Sequence, residues 1–158
     1  MKEKNTVEKL DDLDFKILNL LQEDSRLSYS KIANRLGVSV GTAYNRIKSL
    51  EEKGVLKGYT ALVDAAKVGY SLTALILIQA EGKHLIDVEN EIAKITNIVS
   101  VYDITGEFDI AIVARFKNRE ELNQFIKSLL GIPHIKRTVT NVVLNTVKED
   151  FRIKINKL

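Results

Sequence analysis

KIANRLGVSVGTAYNRIKSL, residues 31–50, places two short amphipathic segments on either side of a glycine. Ala33 is small enough to stand where two helices cross closely, and Gly37, four residues later, permits a tight turn at positive φ. Ser39 is a typical N-cap, so a further helix starts there and runs to about Lys53. This spacing predicts a helix-turn-helix; a plain three-helix bundle with a polar surface is the alternative.

The second helix of this motif has an apolar face and a polar face. At about 100° per residue, the spacing predicts an inward-facing stripe made of Val40, Ala43, Ile47 and Leu50. The opposite face is small and polar at its start and basic around it, which suits a helix that enters a major groove. Of its basic residues, Arg46 and Lys48 are expected to neutralise phosphates. The candidate DNA-binding residues are Ser28, Tyr29, Ser39, Gly41, Thr42, Tyr44, Asn45, Arg46, Lys48 and Ser49.

The composition supports a nucleic-acid partner and excludes several other classes of function. The net charge of the 158 residues is only +3, yet the stretch from Arg26 to Leu50 carries Lys and Arg with no Asp or Glu. Such a stretch is either a solvated helical face or a local phosphate-facing patch. The absence of cysteine excludes disulfides, thiol catalysis and cysteine-ligated metals. The sequence shows no signal peptide, and its apolar runs are far shorter than the roughly 20 residues that a membrane helix needs. We therefore expect a cytoplasmic protein without a membrane partner.

The whole chain is predicted to be α+β, with an N-terminal winged helix-turn-helix domain followed by a ferredoxin-like βαββαβ sandwich. We expect a DNA-binding domain at 1–60, a linker strand or hinge at 61–70 and a second domain at 71–158. Both helices of such a sandwich cover one sheet face, and the other face is apolar here, so we expect dimerisation. The predicted elements of the second domain are strand 71–80, helix 84–95, strands 98–104 and 108–116, helix 119–130 and strand 137–147.

A short turn, TGEFD at residues 105–109, separates the two central predicted strands. Gly106 would expose backbone N–H groups that suit an anion, and Asp109 would offer an acceptor to an ammonium group. Together they suit a zwitterion such as an amino acid. Spacing alone favours an ordinary hairpin turn.

Residues 10–61 resemble the N-terminal domain of the leucine-responsive regulator/AsnC family, the feast/famine regulators. The matching stretch is LDDLDFKILNLLQEDSRLSYSKIANRLGVSVGTAYNRIKSLEEKGVLKGYTA. Archaeal members look most similar, and the βαββαβ half with its G-x-x-D turn covers nearly all the rest. Ala43 stands where the family often has Val, and Phe108 where Tyr is frequent.

The resemblance implies a transcription regulator whose dimers form through the second domain and assemble into octamers or filaments. It also implies an amino-acid effector, bound between dimers around the TGEFD turn, with last-strand residues of a neighbouring subunit. The effector-binding residues that it implies are Tyr102, Thr105, Gly106, Glu107, Phe108, Asp109, Thr138 and Thr140.

Two rival functions use the same layout. A nucleoid-architectural protein would use the same helix with little sequence discrimination. Tetrapyrrole decarboxylases look similar to the family, but His84 and His134 are interpreted as surface or capping residues, and no catalytic triad or P-loop motif is present. We therefore expect double-stranded DNA as the partner and no enzyme activity, cofactor or metal site.

Overall fold

Three helices build the first of two units in the computed structural model, which describes residues 9–155. They are α1 (Asp12–Glu23), α2 (Tyr29–Leu36) and α3 (Val40–Glu52). The first unit comprises residues up to Ala61 together with those from Glu149 onward, and the second comprises Leu62–Lys148. Each unit has its own apolar core, and that of the first is centred on Ile17, Ile32 and Ile47.

Local capping explains why the three helices begin and end where they do. Asp11 forms a capping box with Asp14 at the start of α1. Ser28 accepts a hydrogen bond from the Lys31 backbone at the start of α2. Gly37, at φ +66°, ends α2 in the left-handed conformation that glycine adopts without strain. The predicted helix-turn-helix is thus present with the predicted caps.

The prediction of an inward-facing stripe on α3 is wrong for one of its four residues. Ala43, Ile47 and Leu50 are at most 1% exposed, whereas Val40 is 48% exposed. Val40 is the first residue of α3. Val38, in the preceding turn, packs against the core in its place. Val40 fits the 3.6-residue period of the apolar stripe, but the buried part of α3 begins one turn later, at Ala43.

The second unit is a four-stranded antiparallel sheet with two helices. The elements are β1 (Leu72–Ala80), α4 (Leu85–Ile92), β2 (Ile98–Asp103), β3 (Ile110–Phe116), α5 (Arg119–Leu130) and β4 (Ile135–Val142), with 3-10 turns at Ala66–Val68 and Gly82–His84. The strands pair in the order β2-β3-β1-β4, as a ferredoxin-like sandwich requires. Alternate residues of β1 are buried, so one sheet face joins both helices in a single core.

The α+β architecture is confirmed, and the differences lie in the connecting and terminal segments. Strand β4 ends at Val142 rather than at residue 147, because its last residue already pairs with Ala74 near the start of β1. Residues 58–70, where a strand or wing and then a linker are predicted, form no strand in the structure, and their one regular element is the 3-10 turn at Ala66–Val68. No helix within residues 9–155 is long and apolar enough to cross a bilayer.

The C-terminal tail belongs to the first unit, although the sequence places it in the second domain. The carboxamide of Gln22 donates to the backbone oxygen of Ile153 at 2.9 Å and accepts from its N–H at 2.8 Å. Asn19, one turn earlier on α1, makes the same pair of bonds with Ile155, at 2.9 and 3.4 Å. Ile155 also packs against the core of the first unit. Two side chains thereby take the place of a neighbouring strand.

Candidate DNA-binding and effector sites

The face of α3 opposite its buried residues is exposed and polar, and its side chains are small at the start of the helix. Gly41, Thr42, Asn45 and Lys48 are exposed, and Ser49 is half-buried. The Ser39 hydroxyl accepts from the Thr42 backbone at 3.0 Å and lies 2.8 Å from the Thr42 hydroxyl. These bonds hold the first turn of α3 rigidly while leaving its outward groups accessible.

Two of the candidate DNA-binding residues form an aromatic pair. Tyr29, at the start of α2, and Tyr44, on α3, meet edge to face with ring centroids 5.3 Å apart. Both remain exposed, at 43% and 44%. The pair therefore joins the two helices of the motif and still places both side chains at the surface.

The structure differs from the sequence expectation for Arg46. One guanidinium nitrogen, Nη1, lies 2.7 Å from Oδ2 of Asp11 and 3.3 Å from Oδ1 of Asp14. Asp14 is 5% exposed and is the one buried charged residue in the part of the chain that the structure describes. Arg46 thus fastens α3 to the start of α1, and its charge is engaged within the protein rather than free for a phosphate.

The electrostatics of this cluster follow from its hydrogen bonds. The backbone N–H of Asp14 donates to the Asp11 carboxylate and lowers the pKa of Asp11, and the Arg46 guanidinium lowers that pKa further. The bond to Asp11 in turn raises the pKa of Arg46. Both effects favour the charged forms that make the contact.

Other basic side chains of the acid-free stretch remain at the surface. Lys31 and Arg35, on α2, are exposed. The Lys48 side chain is 56% exposed. Its Nζ lies 3.9 Å from Oε1 of Glu52, a long ion pair that solvent screens. Lys48 therefore remains the basic candidate on α3.

The TGEFD turn is tied to the end of β1. Gly106 has φ +128°, a conformation that other residues rarely adopt, and nothing lies within 4 Å of the position that a Cβ would take. The Asp109 backbone N–H donates to the Ile78 oxygen at 3.0 Å. One carboxylate oxygen of Asp109 accepts from the Ala80 backbone at 2.9 Å. The expected ammonium acceptor is therefore also a structural residue of the hairpin.

Arg137, at the beginning of β4, places a positive charge beside this turn. Its Nη1 lies 3.2 Å from Oε1 of Glu107, and its guanidinium carbon lies 5.5 Å from the Phe108 ring centroid. The Gln79 side chain reaches the Glu107 backbone oxygen at 3.5 Å. Sequence reasoning missed Arg137 and Gln79, although the pairing of two antiparallel strands places them opposite each other.

The remaining effector candidates are not brought together with this cluster within one chain. Thr138 and Thr140 pair with Ile78 and Ile76, whose side chains are fully buried, so they lie on the helix-covered side of the sheet. Tyr102 pairs with Ala111 and is 50% exposed. Their role as effector ligands stays a prediction.

Comparisons with known proteins match one family to each part of the chain. Residues 73–153 match the family described as the Lrp/AsnC ligand binding domain, and residues 10–57 match the winged helix-turn-helix DNA-binding family. An HTH-type transcriptional regulator of Pyrococcus furiosus is 52% identical over 145 residues, which are 92% of this chain and 98% of that protein. The HTH-type transcriptional regulator FL11 of Pyrococcus horikoshii is 38% identical over 92% of this chain and 97% of its own length.

Solved structures share the same architecture over nearly the whole chain. A transcriptional regulator from Neisseria meningitidis, in complex with L-Met, superposes with a TM-score of 0.85 at 27% identity and covers 92% of this chain and 96% of its own. E. coli AsnC superposes with a TM-score of 0.85 at 25% identity, over 94% of this chain and all of that one. This chain belongs to the Lrp/AsnC family and is a DNA-binding transcriptional regulator with a ligand-binding domain, not an enzyme.

Proposed function

We propose that α3 reads base edges in the major groove of double-stranded DNA. The observation that carries this proposal is the exposed small and polar surface at the start of α3, bounded by basic residues. Asn45 offers the donor and acceptor pair that matches an adenine edge, and Thr42 suits a base or a phosphate. Val40, exposed at the same end, suits a thymine methyl group. Lys48 neutralises a phosphate at the edge of this surface.

Asn45→Ala tests the base contact. We expect it to lower the ratio of specific to non-specific affinity at fixed salt by about 1–3 kcal/mol, the value of one good bidentate base contact. Asn34→Ala is the matched control, because Asn34 is also an exposed asparagine and lies on α2. An unchanged ratio for Asn45→Ala would overturn this assignment. A wild-type ratio near one would indicate architectural rather than regulatory binding.

We also propose that the turn at residues 105–109 binds an amino acid. A zwitterion needs a cationic partner for its carboxylate and an anionic partner for its ammonium group. Arg137 supplies the first, Glu107 and Asp109 supply the second, and the open Gly106 backbone adds N–H donors. The L-Met bound to the Neisseria meningitidis regulator supports an amino-acid ligand, since that protein shares this fold over most of its length.

The melting temperature in the presence of each of the twenty amino acids tests the effector. Ligand at about 100-fold over its Kd adds about 2.7 kcal/mol to stability, which is readily measured. Asp109→Asn is the informative variant, because an amide oxygen still accepts from the Ala80 N–H while the negative charge is lost. Asp103→Asn, an exposed acid on β2, is the control.

A selective upward shift that Asp109→Asn abolishes would name the effector. If no amino acid shifts the melt, the turn is a hairpin without this ligand, and the DNA-binding proposal stands on its own evidence.

We further propose that the protein dimerises through the uncovered sheet face and that the effector alters assembly beyond the dimer, up to octamers or higher. Leu75 and Tyr102, on that face, are 38% and 50% exposed, which is costly unless a second copy covers them. In a dimer, the recognition helices need a spacing of about 34–36 Å, or a multiple, to reach successive major grooves. Sedimentation velocity with and without the effector tests the coupling, and an unchanged distribution of species would refute it.

A further inference from the structure

The two histidines of the chain come together outside the DNA-binding and effector sites. His84 lies where the connection after β1 enters α4, and His134 lies in the loop between α5 and β4. Their imidazole rings stack with centroids 3.7 Å apart and planes inclined by 15°. Although His84 occupies the N-cap position of α4, its side chain makes no capping bond. Capping therefore does not account for its place.

A carboxylate completes the cluster. Oε2 of Glu81 lies 3.2 Å from Nδ1 of His134. One ligand atom from each of Glu81, His84 and His134 lies within 4.8 Å of the other two. A second carboxylate, that of Asp87, approaches Nδ1 of His84 at 3.5 Å. The histidines are 39% and 38% exposed, so ions in solution can reach them.

Backbone geometry holds these side chains in place. The Glu81 N–H donates to the His134 oxygen at 2.9 Å, and the His84 N–H donates to the Glu81 oxygen at 2.8 Å. His134 has φ +70° and is the one non-glycine residue with positive φ within residues 9–155. A strained backbone of this kind persists where the surrounding structure imposes it, and such positions concentrate at binding sites.

We propose that Glu81, His84 and His134 bind one divalent transition-metal ion of the Zn²⁺, Co²⁺ or Ni²⁺ class. Two imidazole nitrogens and a carboxylate oxygen are donors that these ions prefer, whereas Ca²⁺ and Mg²⁺ prefer oxygen alone. In a tetrahedral site with bonds of about 2.1 Å, neighbouring ligand atoms lie about 3.4 Å apart. The Glu81–His134 separation of 3.2 Å already matches that edge. Three protein ligands leave a fourth position for water.

Asp87 acts as an orienting residue for this site. Its carboxylate lies 3.5 Å from Nδ1 of His84. A carboxylate at this nitrogen favours the tautomer that carries its hydrogen on Nδ1, which leaves the Nε2 electron pair for a metal ion. The in-plane electron pairs of parallel rings do not converge, so binding turns the two imidazoles out of their stack. This change of ring orientation is itself a measurable consequence.

The proposed metal site shares no ligand residue with the proposed effector site but is next to it in the chain. Glu81 follows Ala80, whose N–H holds the Asp109 carboxylate. A bound ion therefore fastens the end of β1, to which the TGEFD turn is tied, to the start of β4. The metal proposal does not depend on the identity or existence of an amino-acid effector.

Titration of chelator-treated, tag-free full-length protein with Zn²⁺ tests the proposal. Because the chain has two histidines and no cysteine, each imidazole signal in an NMR spectrum is assigned with one variant. We expect both signals to shift together and saturate at one ion per chain, with loss of the mutual ring-current shift. Calorimetry should give the same stoichiometry, and Co²⁺ should give the visible absorption of a tetrahedral site.

Variants separate ligation from folding. His134→Gly removes a ligand while suiting the positive φ, so it should fold normally and bind Zn²⁺ at least tenfold more weakly. Asp87→Asn should weaken binding by about 10–100-fold, as outer carboxylates of metal-bound histidines do. Glu91→Gln, an exposed acid on the same helix, should bind as the wild type does. Imidazole signals that respond to pH but not to equimolar Zn²⁺, or Zn²⁺ binding that survives replacement of both histidines, would overturn the proposal.

Discussion

Replacing Arg46 with Met separates a structural role for this residue from a role in DNA binding. Methionine keeps an apolar stem of similar reach but removes the guanidinium that contacts Asp11 and Asp14. The sequence places Arg46 among the DNA-contacting residues, whereas the structure places it in a contact between α1 and α3. The two roles predict opposite results for stability and for salt dependence.

The loss of stability follows from the burial of its partners. Removing one member of a fully buried ion pair costs about 3–5 kcal/mol, because a charge is left without compensation. Here the Asp14 side chain is 6% exposed but Arg46 is 40% exposed, and Asp14 keeps its bond from the Asp11 backbone at 3.1 Å. Both facts reduce the cost, and the half-exposed Asp11 contributes at most about 1 kcal/mol. We therefore expect the first unit to lose about 2 kcal/mol.

Thermal unfolding and salt-dependent DNA binding measure the two effects separately. A loss of about 2 kcal/mol lowers the Tm of a unit of this size by about 10 °C. The slope of log affinity against log salt should stay unchanged in Arg46→Met. Lys48→Met is the matched control on the same helix: its stability should stay within about 0.5 kcal/mol, while its salt slope should fall by about 0.9.

The opposite result would refute the structural role. If Arg46→Met melts at the wild-type temperature and its salt slope falls by about 0.9, then Arg46 contacts a phosphate and its contact with Asp14 contributes nothing measurable.

Three further outcomes test other parts of the structure. Truncation after Asp150 should destabilise the first unit by about 1–2 kcal/mol, because the bonds from Asn19 and Gln22 to the tail are lost. Replacing Asn19 and Gln22 with Ala in the truncated chain should cause no further loss of stability, and a double-mutant cycle from denaturant unfolding measures this. Gly106→Ala should cost about 1–3 kcal/mol, because its φ of +128° strains any side chain; denaturant unfolding of the second unit measures this, and an unchanged midpoint would contradict it. Because the folded pKa of Asp11 lies below its ordinary value of 3.8, its stabilising contribution is complete above that pH and is lost as the pH falls below it. Acid unfolding curves should show this loss, and it should be smaller in Arg46→Met.

The sequence alone determined the features that depend on near neighbours. Ser28 and Ser39 cap helices through residues three positions away, and Gly37 ends α2 through its own backbone. Short β-type apolar runs, alternating with segments whose apolar residues recur at helical spacing, predicted the βαββαβ order. These signals lie within a single turn or strand and do not require knowledge of the distant chain.

Tertiary structure decided the contacts between groups far apart in sequence. Arg46 meets Asp14 across 32 residues, and Arg137 meets Glu107 across 30. The histidine cluster joins two loops, with His134 53 residues after Glu81. Local propensity carries no information about which distant charge a long side chain will reach, since that depends on how helices cross and strands register. For this reason the sequence predicted the helix-turn-helix and the sandwich, whereas the place of Arg46, the arginine beside the effector turn and the proposed metal site emerged only from the folded chain.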